Sequence, residues 1–301
     1  MPSPDTRSSI EDPAHRGLWR ATFTALGGCC ELACETEDAR LAQRLGEFAR
    51  SEARRIDRKY SRSQPGSVVN AIQGRHGKRY RVDDETARLI DYGATLWRVS
   101  SGAFDLTAGV LRHAWNCETG VARVDAARLP GLLKRIGWDR VGWQPADIIL
   151  PEDMEIDFGG IGKEYAVDRV AEWARTQTNC PVLVNFGGDL RCVGAPPASG
   201  AWMVPNGSIA TNGKAANRIA LTSGGLATSG SARRHGAIGL SLQGLTFDAR
   251  TGWPVDGAPC SITVAAATCS QAGSYSTLAM LQGEGAEDFL KAEGVRYWLL
   301  R

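Results

Sequence analysis

Apolar residues recur every three or four positions in several stretches of this chain, which is the spacing of amphipathic helices. In the first such stretch, Leu41, Leu45 and Ile56 fall on one face between charged residues. The same periodicity predicts helices over residues 37–59, 84–99, 163–176 and 271–281, with a short helix near Glu287. Each is long enough to cover part of a sheet, so helices packed on sheets are expected.

Short apolar runs bounded by glycine, proline or polar residues predict strands between these helices. The runs are a hairpin in WRATFTALGGCCELAC, then DIIL, MEIDF, PVLVNF, RIALTS, GLTFDA, SITVAAA and RYWLL. Residues 1–17 are predicted to be a disordered tail, YSRSQPGSVVNAIQ a polar loop, and 195–220 a long loop or hairpin. Long helices mixed with hairpin strands indicate an α+β fold with mixed or antiparallel sheets rather than a regular parallel array.

The amino-acid composition limits the kinds of molecule that this chain is expected to bind. The chain has 301 residues, 43% of them hydrophobic, so it can bury one large core or two closely packed subdomains. Its 35 basic and 33 acidic residues give a net charge of +2, which is not typical of a nucleic-acid-binding protein. No run is long enough to span a membrane.

The cysteines and the region before them bear on location. Eight cysteines without a CxxC pair favour reduced thiols over a disulfide framework or a zinc site. LGGC, ending at Cys29, is similar to a lipoprotein cleavage box, but the preceding HRGLWRATFTA lacks the apolar core of a signal peptide. We therefore predict a cytoplasmic protein.

One segment, IDFGGIGKEY at residues 156–165, places three glycines and Lys163 before a predicted helix. A helix N-terminus beside a glycine turn favours anions, but the segment matches neither known phosphate loop. The Walker pattern would need glycine at Asp157, and the dinucleotide pattern would need glycine at Tyr165. Phe-Gly-Gly also recurs at 158–160 and 186–188, which predicts two similar turns at one rim of a sheet. From these residues alone, tight turns and a ligand cradle both remain open.

Six polar turns occur in one order along about 180 residues: SSGAFDLTAG, IDFGGIGKEYAVDR, VNFGGDLR, ATSGSARR, FDARTGWPV and AGSYSTLAML. In order and character they resemble the motifs of the ApbE-like family, the FAD:protein FMN transferases. The resemblance begins near Leu26 and implies one ApbE-like domain over residues 18–301. It also implies a transferase that uses FAD as substrate with Mg²⁺, moves FMN to a Thr or Ser of a target flavoprotein, and releases AMP.

The resemblance assigns roles to individual residues. It implies catalytic roles for Asp157 and Arg250, and metal contacts at Gly160, Ser276 and Thr277. It implies FAD contacts at Leu26, Ser63, Ala103, Phe104, Asp105, Asp157 and Lys163. Plainer interpretations stay open for three of them: Phe104 as a core aromatic, Asp105 as a helix N-cap, and Arg250 as the ion-pair partner of Asp248.

The sequence departs from the family pattern at two positions that bear on chemistry. Gly273 stands where the family carries an aspartate for Mg²⁺, and Leu245 stands where it carries a histidine. Asp157, Asp189 or Asp248 is a candidate for the missing carboxylate, and His235 for the missing histidine. Loop residues Val68 and Gln73 also differ from the usual glutamate and asparagine.

Three hypotheses follow from this balance of matches and departures. The first is an FMN transferase with a rearranged metal shell, in which FAD hydrolysis is also open. The second is an FAD-binding carrier or assembly protein with impaired catalysis. The third is a glycine-rich α+β domain unrelated to flavin. The acceptor protein and the oligomeric state do not follow from the sequence.

Overall fold

A computed structural model describes residues 10–11, 17–118, 121–205, 218–230 and 246–301. The strands are β1 Ile10–Glu11, β2 Leu18–Ala25, β3 Gly28–Glu35, β4 Arg79–Arg81, β5 Trp115–Glu118, β6 Val121–Val124, β7 Gly142–Gln144, β8 Asp147–Ile149, β9 Val182–Phe186, β10 Asp189–Val193, β11 Trp202–Pro205, β12 Arg218–Leu221, β13 Gly224–Gly230, β14 Ser261–Ala266 and β15 Arg296–Leu300. The helices are α1 Ala39–Tyr60, α2 Val68–Gln73, α3 Asp84–Val99, α4 Leu129–Leu133, α5 Gly162–Gln177, α6 Cys269–Leu281 and α7 Ala286–Ala292. The predicted α+β class is confirmed.

The chain divides into two compact units. The first comprises Met1–Asp57, Lys163–Thr228 and Thr263–Gly273, and the second comprises Arg58–Gly162, Ser229–Ile262 and Ser274–Arg301. Both units therefore combine segments that are distant in the sequence. Whether residues 18–301 act as one domain stays a prediction.

The first unit is built on an antiparallel sheet. Its strands are hydrogen-bonded in the order β1, β2, β3, β9, β10, β13 and β14. β2 and β3 form the predicted hairpin, with Ala25 opposite Gly28. β1 pairs with β2 through Ile10 and Glu11, a short strand inside the segment predicted as a disordered tail. β11 and β12 pair antiparallel, and the residues between them, 206–217, lie outside the described ones, so the loop or hairpin over residues 195–220 stays a prediction.

Two long helices of the first unit follow their apolar periodicity. On α1 the side chains of Leu45, Ala49 and Ala53 are fully buried at spacings of four. On α5 the same holds for a run of small and β-branched residues: Ala166, Val167, Val170, Ala171 and Ala174. Phe48 of α1 stacks on Trp173 of α5, with ring centroids 3.7 Å apart. The predicted helices over 37–59 and 163–176 are confirmed.

The second unit contains two small sheets and α3. β8 lies between β4 and β7 in an antiparallel sheet, and β5 pairs with β6. Asp83 caps α3 by accepting a hydrogen bond from the backbone N–H of Thr86 (3.1 Å). No helix in the described part of the chain is long and apolar enough to cross a membrane.

The predicted strand MEIDF is wrong. DIIL does contain β8, but both edges of β8 are already paired, so residues 154–158 cannot pair with it. Their amides bond elsewhere: Ile156 donates to Oε1 of Gln73 (3.1 Å), and Asp157 donates to the carbonyl of Leu106 (2.9 Å). The segment runs as irregular chain toward α5.

Two further predictions about local structure are also wrong. The stretch predicted as a polar loop contains α2, because Ser67 caps it and Val69 and Ile72 are buried one turn apart. In GLTFDA, the residues from Thr246 onward form no strand beyond an isolated bridge between Phe247 and Pro254.

The two Phe-Gly-Gly turns differ in structure. Gly187 and Gly188 follow β9 with φ of 63° and 99°, values that favour glycine, and the chain returns as β10. Phe158 follows irregular chain, and Gly159 and Gly160 lead into α5 without positive φ. The prediction of two similar turns is therefore wrong.

Candidate functional site

Lys163 lies at the start of α5, where a positive charge opposes the helix dipole. Its Nζ forms an ion pair with Oδ2 of Asp189 (2.6 Å), whose side chain is 4% exposed. The other oxygen of Asp189 accepts a hydrogen bond from the backbone N–H of Thr228 (3.2 Å). Burial disfavours the charged lysine, but the carboxylates of Asp189 and Glu164 outweigh it, so the pKa of Lys163 lies above its usual range. Asp189 therefore balances the charge of this lysine in the structure, and the predicted FAD contact at Lys163 stays a prediction.

Glu164 follows directly and has a different environment. Its Oε2 is buried and has no hydrogen-bond partner among the described residues. A Cβ added at Gly273 would lie 2.8 Å from Cγ and 2.9 Å from Oε1 of Glu164. The glutamate side chain therefore occupies the space that a side chain at 273 would need. Burial and the nearby charge of Asp189 raise the pKa of Glu164 above its usual range, and Lys163 offsets only part of that rise.

Asp168 fixes the start of α6 beside this glutamate. Its two carboxylate oxygens accept hydrogen bonds from the backbone N–H groups of Cys269 (2.9 Å) and Ser270 (2.8 Å) at the start of the helix. Arg191 also donates to Asp168 (3.1 Å). Because Glu164 lies one turn before Asp168 on α5 and Gly273 one turn into α6, the cap positions Gly273 against Glu164.

Leu26 occupies the turn between β2 and β3. Its φ is 54° and that of Gly27 is 76°, as in a two-residue hairpin turn that follows the strand twist. Its backbone N–H donates to Oδ2 of Asp57 (3.1 Å). The predicted FAD contact at Leu26 would therefore be made by its side chain or carbonyl oxygen.

In the second unit, Gly160 and Phe104 lie in contact. A Cβ at Gly160 would come within 3.0 Å of Cε2 on the Phe104 ring, so the ring and a bare backbone fit together. Phe104 is half-buried and its backbone N–H donates to the Ser100 hydroxyl (2.9 Å). Ala103 beside it is buried, and its carbonyl accepts a hydrogen bond from the N–H of Ala249 (2.9 Å). The structure thus joins predicted FAD and metal positions in one turn region.

Asp105 serves the local fold. Its Oδ1 accepts hydrogen bonds from the N–H and hydroxyl of Thr107, at 2.7 and 2.6 Å, and its Oδ2 accepts one from the N–H of Trp138 at 2.8 Å. It is buried, and burial raises the pKa of its carboxyl despite these bonds. The two bonds from Thr107 hold the chain just after the GAFD turn, and the bond from Trp138 ties the turn to that segment.

Asp157 also has partners on both carboxylate oxygens. Oδ2 pairs with Nη1 of Arg62 (2.8 Å), and Oδ1 accepts a hydrogen bond from the N–H of Gly159 (2.7 Å). A Cβ at Gly109 would lie 2.6 Å from the Cβ of Asp157, so this segment also packs against bare backbone. Here the glycines allow close packing around an aspartate.

Arg250 and Asp248 form the ion pair that was the plainer of the two interpretations. Nε of Arg250 donates to Oδ1 (2.9 Å) and Nη2 donates to Oδ2 (2.6 Å), and the backbone N–H of Arg250 also reaches Oδ1 (2.9 Å). Asp248 is buried, while about half of the Arg250 side chain is exposed. Its catalytic role stays a prediction.

Ser276 and Thr277 belong to a group of three hydroxyls. The Ser229 hydroxyl lies 2.8 Å from that of Ser276 and 3.1 Å from that of Thr277. Ser276 is buried and Thr277 is half-buried. Ser229 comes from the ATSGSARR motif, so the structure brings two of the quoted motifs together.

The remaining predicted positions add less. Ser63 is exposed, and its hydroxyl pairs with that of Ser61 (2.8 Å). His235 and Leu245 lie outside the described residues. In the part of the chain that the structure describes, no group of three or more His, Cys, Asp or Glu side chains is placed to hold a metal ion.

Sequence reasoning did not single out Glu164, Asp168 or Ser229. Their roles depend on which residue faces which across two elements, and a single sequence does not report that. One pattern in the sequence could have indicated them: Glu164 and Asp168 are two acidic residues one turn apart at the start of a helix whose other face is apolar.

The fold is that of known flavin transferases. It matches the crystal structure of the ApbE protein of Thermotoga maritima with a TM-score of 0.80 and 24% identity, covering 94% of each chain. It also matches the flavinyl transferase ApbE of Pseudomonas stutzeri with a TM-score of 0.78 and 20% identity, covering 97% of this chain and 95% of that one.

Comparison of the sequence with protein-family models identifies the family. The model of the ApbE family matches residues 26–299, and the chain belongs to that family. The predicted resemblance, which starts at Leu26, is confirmed.

Relatives with similar sequences are named as enzymes. The FAD:protein FMN transferase of Salmonella typhimurium is 26% identical over 230 residues, covering 73% of this chain, and that of Escherichia coli strain K12 is 24% identical over 234 residues. The matched region spans 65% of the length of each of these two relatives.

Proposed function

We propose that this chain is an FAD:protein FMN transferase, which transfers FMN from FAD to a Thr or Ser hydroxyl of an acceptor flavoprotein. The observation that carries the proposal is the family match over residues 26–299, which contains all six motif turns. Relatives that match this chain in sequence are named for this activity. We also propose that residues 18–301 act as one transferase domain.

The reaction is a phosphoryl-type transfer. The acceptor hydroxyl oxygen forms a bond to the phosphorus of the FMN half, the bond from that phosphorus to the bridging oxygen breaks, and AMP leaves with the bridging oxygen. The hydroxyl proton is lost to a base or solvent. Such a reaction requires alignment of the hydroxyl and stabilisation of negative charge on the pyrophosphate.

We assign binding tasks to the described residues as follows. The ring of Phe104, half-buried over Gly160, offers an aromatic surface to the flavin. Lys163, a third of whose side chain is exposed, offers a positive charge to a phosphate. Leu26, Ser63, Ala103 and Asp105 stay proposed FAD contacts, of which Asp105 acts by shaping the turn.

Arg250 and Asp157 are the proposed catalytic residues. Arg250 is half exposed, so the face of its guanidinium that is turned from Asp248 can interact with developing charge. Asp157 would align the acceptor hydroxyl, and for that it must exchange Arg62 or Gly159 for the new partner.

A divalent cation fits the oxygen groups present. Mg²⁺ binds oxygen ligands and is often held by one or two carboxylates together with substrate phosphates, so a large acidic cluster is not required. We propose the carbonyl of Gly160 and the hydroxyls of Ser276 and Thr277 as ligands, all of them neutral. When bound, Mg²⁺ would neutralise pyrophosphate charge.

A second function stays open because of specific contacts. Both proposed catalytic side chains are held in ion pairs, Asp157 by Arg62 and Arg250 by Asp248, and Gly273 supplies no carboxylate. A chain that binds FAD without transferring FMN would also be consistent with these contacts.

Incubation with FAD and Mg²⁺, with and without a candidate acceptor flavoprotein, separates the two functions. Transfer predicts AMP release together with a mass increase of the acceptor. Intact FAD retained by the protein under all conditions would support the binding function. AMP release without acceptor labelling would indicate FAD hydrolysis.

The assay needs two controls. The FAD:protein FMN transferase of Salmonella typhimurium, supplied with its own acceptor, shows that the conditions allow transfer. Replacing Thr or Ser by Ala at the labelled position of the acceptor shows that the hydroxyl is the receiving group. Persistent labelling of that Ala variant would contradict the proposed acceptor chemistry.

A further inference from the structure

Glu164 has a carboxylate oxygen that the fold leaves unused. Oε2 is buried, and no described residue donates a hydrogen bond to it. Leaving a buried carboxylate oxygen without a partner is unfavourable, so native proteins usually pair such groups. An ordered cation or donor at this oxygen would account for its position.

The absence of a side chain at Gly273 leaves room for the carboxylate of Glu164. The position of a Cβ at 273 lies within 2.8 to 3.1 Å of Cγ, Oε1 and Cδ of Glu164. The glutamate thus fills the volume that begins at the 273 backbone, which is where the family pattern carries its aspartate. Asp168 holds α6 in this register by capping Cys269 and Ser270.

The three carboxylates considered earlier as replacements are already engaged. Asp189 binds Lys163 and the N–H of Thr228. Asp157 binds Arg62 and the N–H of Gly159. Asp248 is held through both oxygens by Arg250.

We propose that Glu164 is a carboxylate ligand for a divalent cation bound at its unpaired Oε2, taking the part of the carboxylate that is absent at Gly273. The proposal rests on the proposed function only for its choice of cation. The proposal concerns two positions. The carboxylate of Glu164, on α5, occupies the space in which the carboxylate of an aspartate at position 273, on α6, would lie.

The ligand chemistry matches a hard cation. Carboxylate oxygens are preferred ligands of Mg²⁺ and Mn²⁺. Lys163 donates no hydrogen bond to Oε2 of Glu164, and its Nζ pairs with Asp189 instead.

Binding of Mn²⁺ tests the proposal without any turnover. Mn²⁺ substitutes for Mg²⁺ at oxygen sites, and the electron paramagnetic resonance signal of free Mn²⁺ gives its dissociation constant, measured with the purified protein alone and with FAD added. Glu164→Gln keeps the size of the side chain and removes its charge. We expect it to weaken Mn²⁺ binding at least about tenfold, since changes even to groups that only support a metal ligand cost about 10- to 100-fold.

Glu172→Gln is the matched control. Glu172 lies on the same helix, carries the same charge, and is half exposed with its carboxylate on Arg175. We expect its Mn²⁺ affinity to equal that of the unmodified protein. An equal loss in both variants would show a general effect of charge and would overturn the proposal.

Moving the carboxylate back gives a gain-of-function test. Gly273→Asp alone places a side chain into Glu164, but Glu164→Ala removes the colliding Cγ, Cδ and Oε1 atoms. We expect the double variant Glu164→Ala/Gly273→Asp to recover Mn²⁺ affinity that Glu164→Ala alone has lost. Circular dichroism melts show whether each variant is folded.

The outcomes separate this proposal from the proposed function. If Mn²⁺ affinity depends on Glu164 but no AMP is released from FAD, the metal ligand stands and the transferase function fails. If FMN transfer proceeds while Glu164→Gln binds Mn²⁺ as tightly as the unmodified protein, the function stands and this proposal is overturned. Absence of Mn²⁺ binding to the folded, unmodified protein with and without FAD would also overturn it.

Discussion

Glu164 of the first unit differs from three carboxylates of the second unit in what its oxygens contact. In the second unit, Asp105, Asp157 and Asp248 each have both oxygens occupied by backbone amides, a hydroxyl or an arginine. In the first unit, Glu164 keeps one buried oxygen without a partner among the described residues.

This difference separates residues that build turns from a residue with unused binding capacity. A carboxylate that already accepts two or three hydrogen bonds must lose some of them before it can bind a ligand, and each lost bond costs free energy. Motif membership alone does not make the distinction, since all four acids lie within quoted motifs. The hydrogen-bond partners make it.

The strongest test of the turn-building role is Asp105→Asn. An amide cannot accept hydrogen bonds at both ends, so its NH₂ group would face either Thr107 or the N–H of Trp138. We expect a loss of about 2 to 3 kcal/mol in the free energy of unfolding, measured by urea denaturation. Exposed Asp139→Asn nearby is the control and should change little; equal stabilities of the two variants would contradict the role.

The second test concerns the contact between Glu164 and Gly273. Helix propensity favours alanine over glycine by about 1 kcal/mol, but the added methyl at 273 would collide with Glu164. Overpacking costs about 1 to 3 kcal/mol, so we expect Gly273→Ala to destabilise the protein by about 1 kcal/mol. In a Glu164→Ala background the sign should reverse, as a thermal or urea unfolding cycle would show.

Gly131 provides the matched control for that cycle. It is also a helical glycine, in α4, but nothing lies within 4 Å of a Cβ placed there. Gly131→Ala should therefore stabilise the protein, both with and without Glu164. If Gly273→Ala behaves like Gly131→Ala in the unmodified background, the inferred close packing is incorrect.

The sequence predicted much of the fold because strong periodicity needs no knowledge of the partner. Helices α1, α3 and α5 and the β2–β3 hairpin are of this kind. Helix α2 was not predicted, because it has only six residues and depends on its Ser67 cap. The segment 154–158 has strand-like composition, but a strand requires a free edge, and β8 offers none.

The sequence predicted which glycines belong to the site better than it predicted the partners of the charged side chains. The need for bare backbone at Gly160 is visible in the motif, and the ring of Phe104 supplies the reason. The ion pair between Lys163 and Asp189 was not predicted, because it joins residues of two separate elements, α5 and β10. Glu164 was overlooked because its unpaired oxygen results from the absence of donors around it, which depends on three-dimensional packing.

A fourth carboxylate of the second unit extends the comparison to pH. Glu155 pairs with Arg112, with His113 (3.0 Å) and with Arg135 (3.0 Å). Burial alone would raise the pKa of Glu155, but Arg112 and His113 outweigh it, so the pKa lies below its usual value. The resulting stabilisation is therefore present above the unfolded-state pKa of about 4.3 and is lost as the pH falls through the lower folded-state pKa.

Glu155→Gln measures that stabilisation. We expect a loss of about 1 to 2 kcal/mol in the free energy of unfolding at pH 7, since hydrogen bonds to charged groups contribute at this level. The difference from the unmodified protein should shrink when urea unfolding is repeated below pH 4.3, while Glu152→Gln, an exposed neighbour, should differ little at either pH. A difference that grows on acidification would contradict the assigned sign.

The smallest expected effect comes from Arg62→Gln, which turns a fully occupied carboxylate into a partly occupied one. Arg62 and Asp157 are both partly exposed, and exposed ion pairs contribute little, so the free energy of unfolding should change by no more than about 0.5 kcal/mol. Arg128→Gln removes a comparable exposed pair with Asp125 and serves as the control in the same urea denaturation. If Arg62→Gln instead costs several times more than Arg128→Gln, Asp157 depends on Arg62 for the turn itself. Asp157 would then resemble Asp105, because freeing its carboxylate for an acceptor hydroxyl would unfold the segment that presents it.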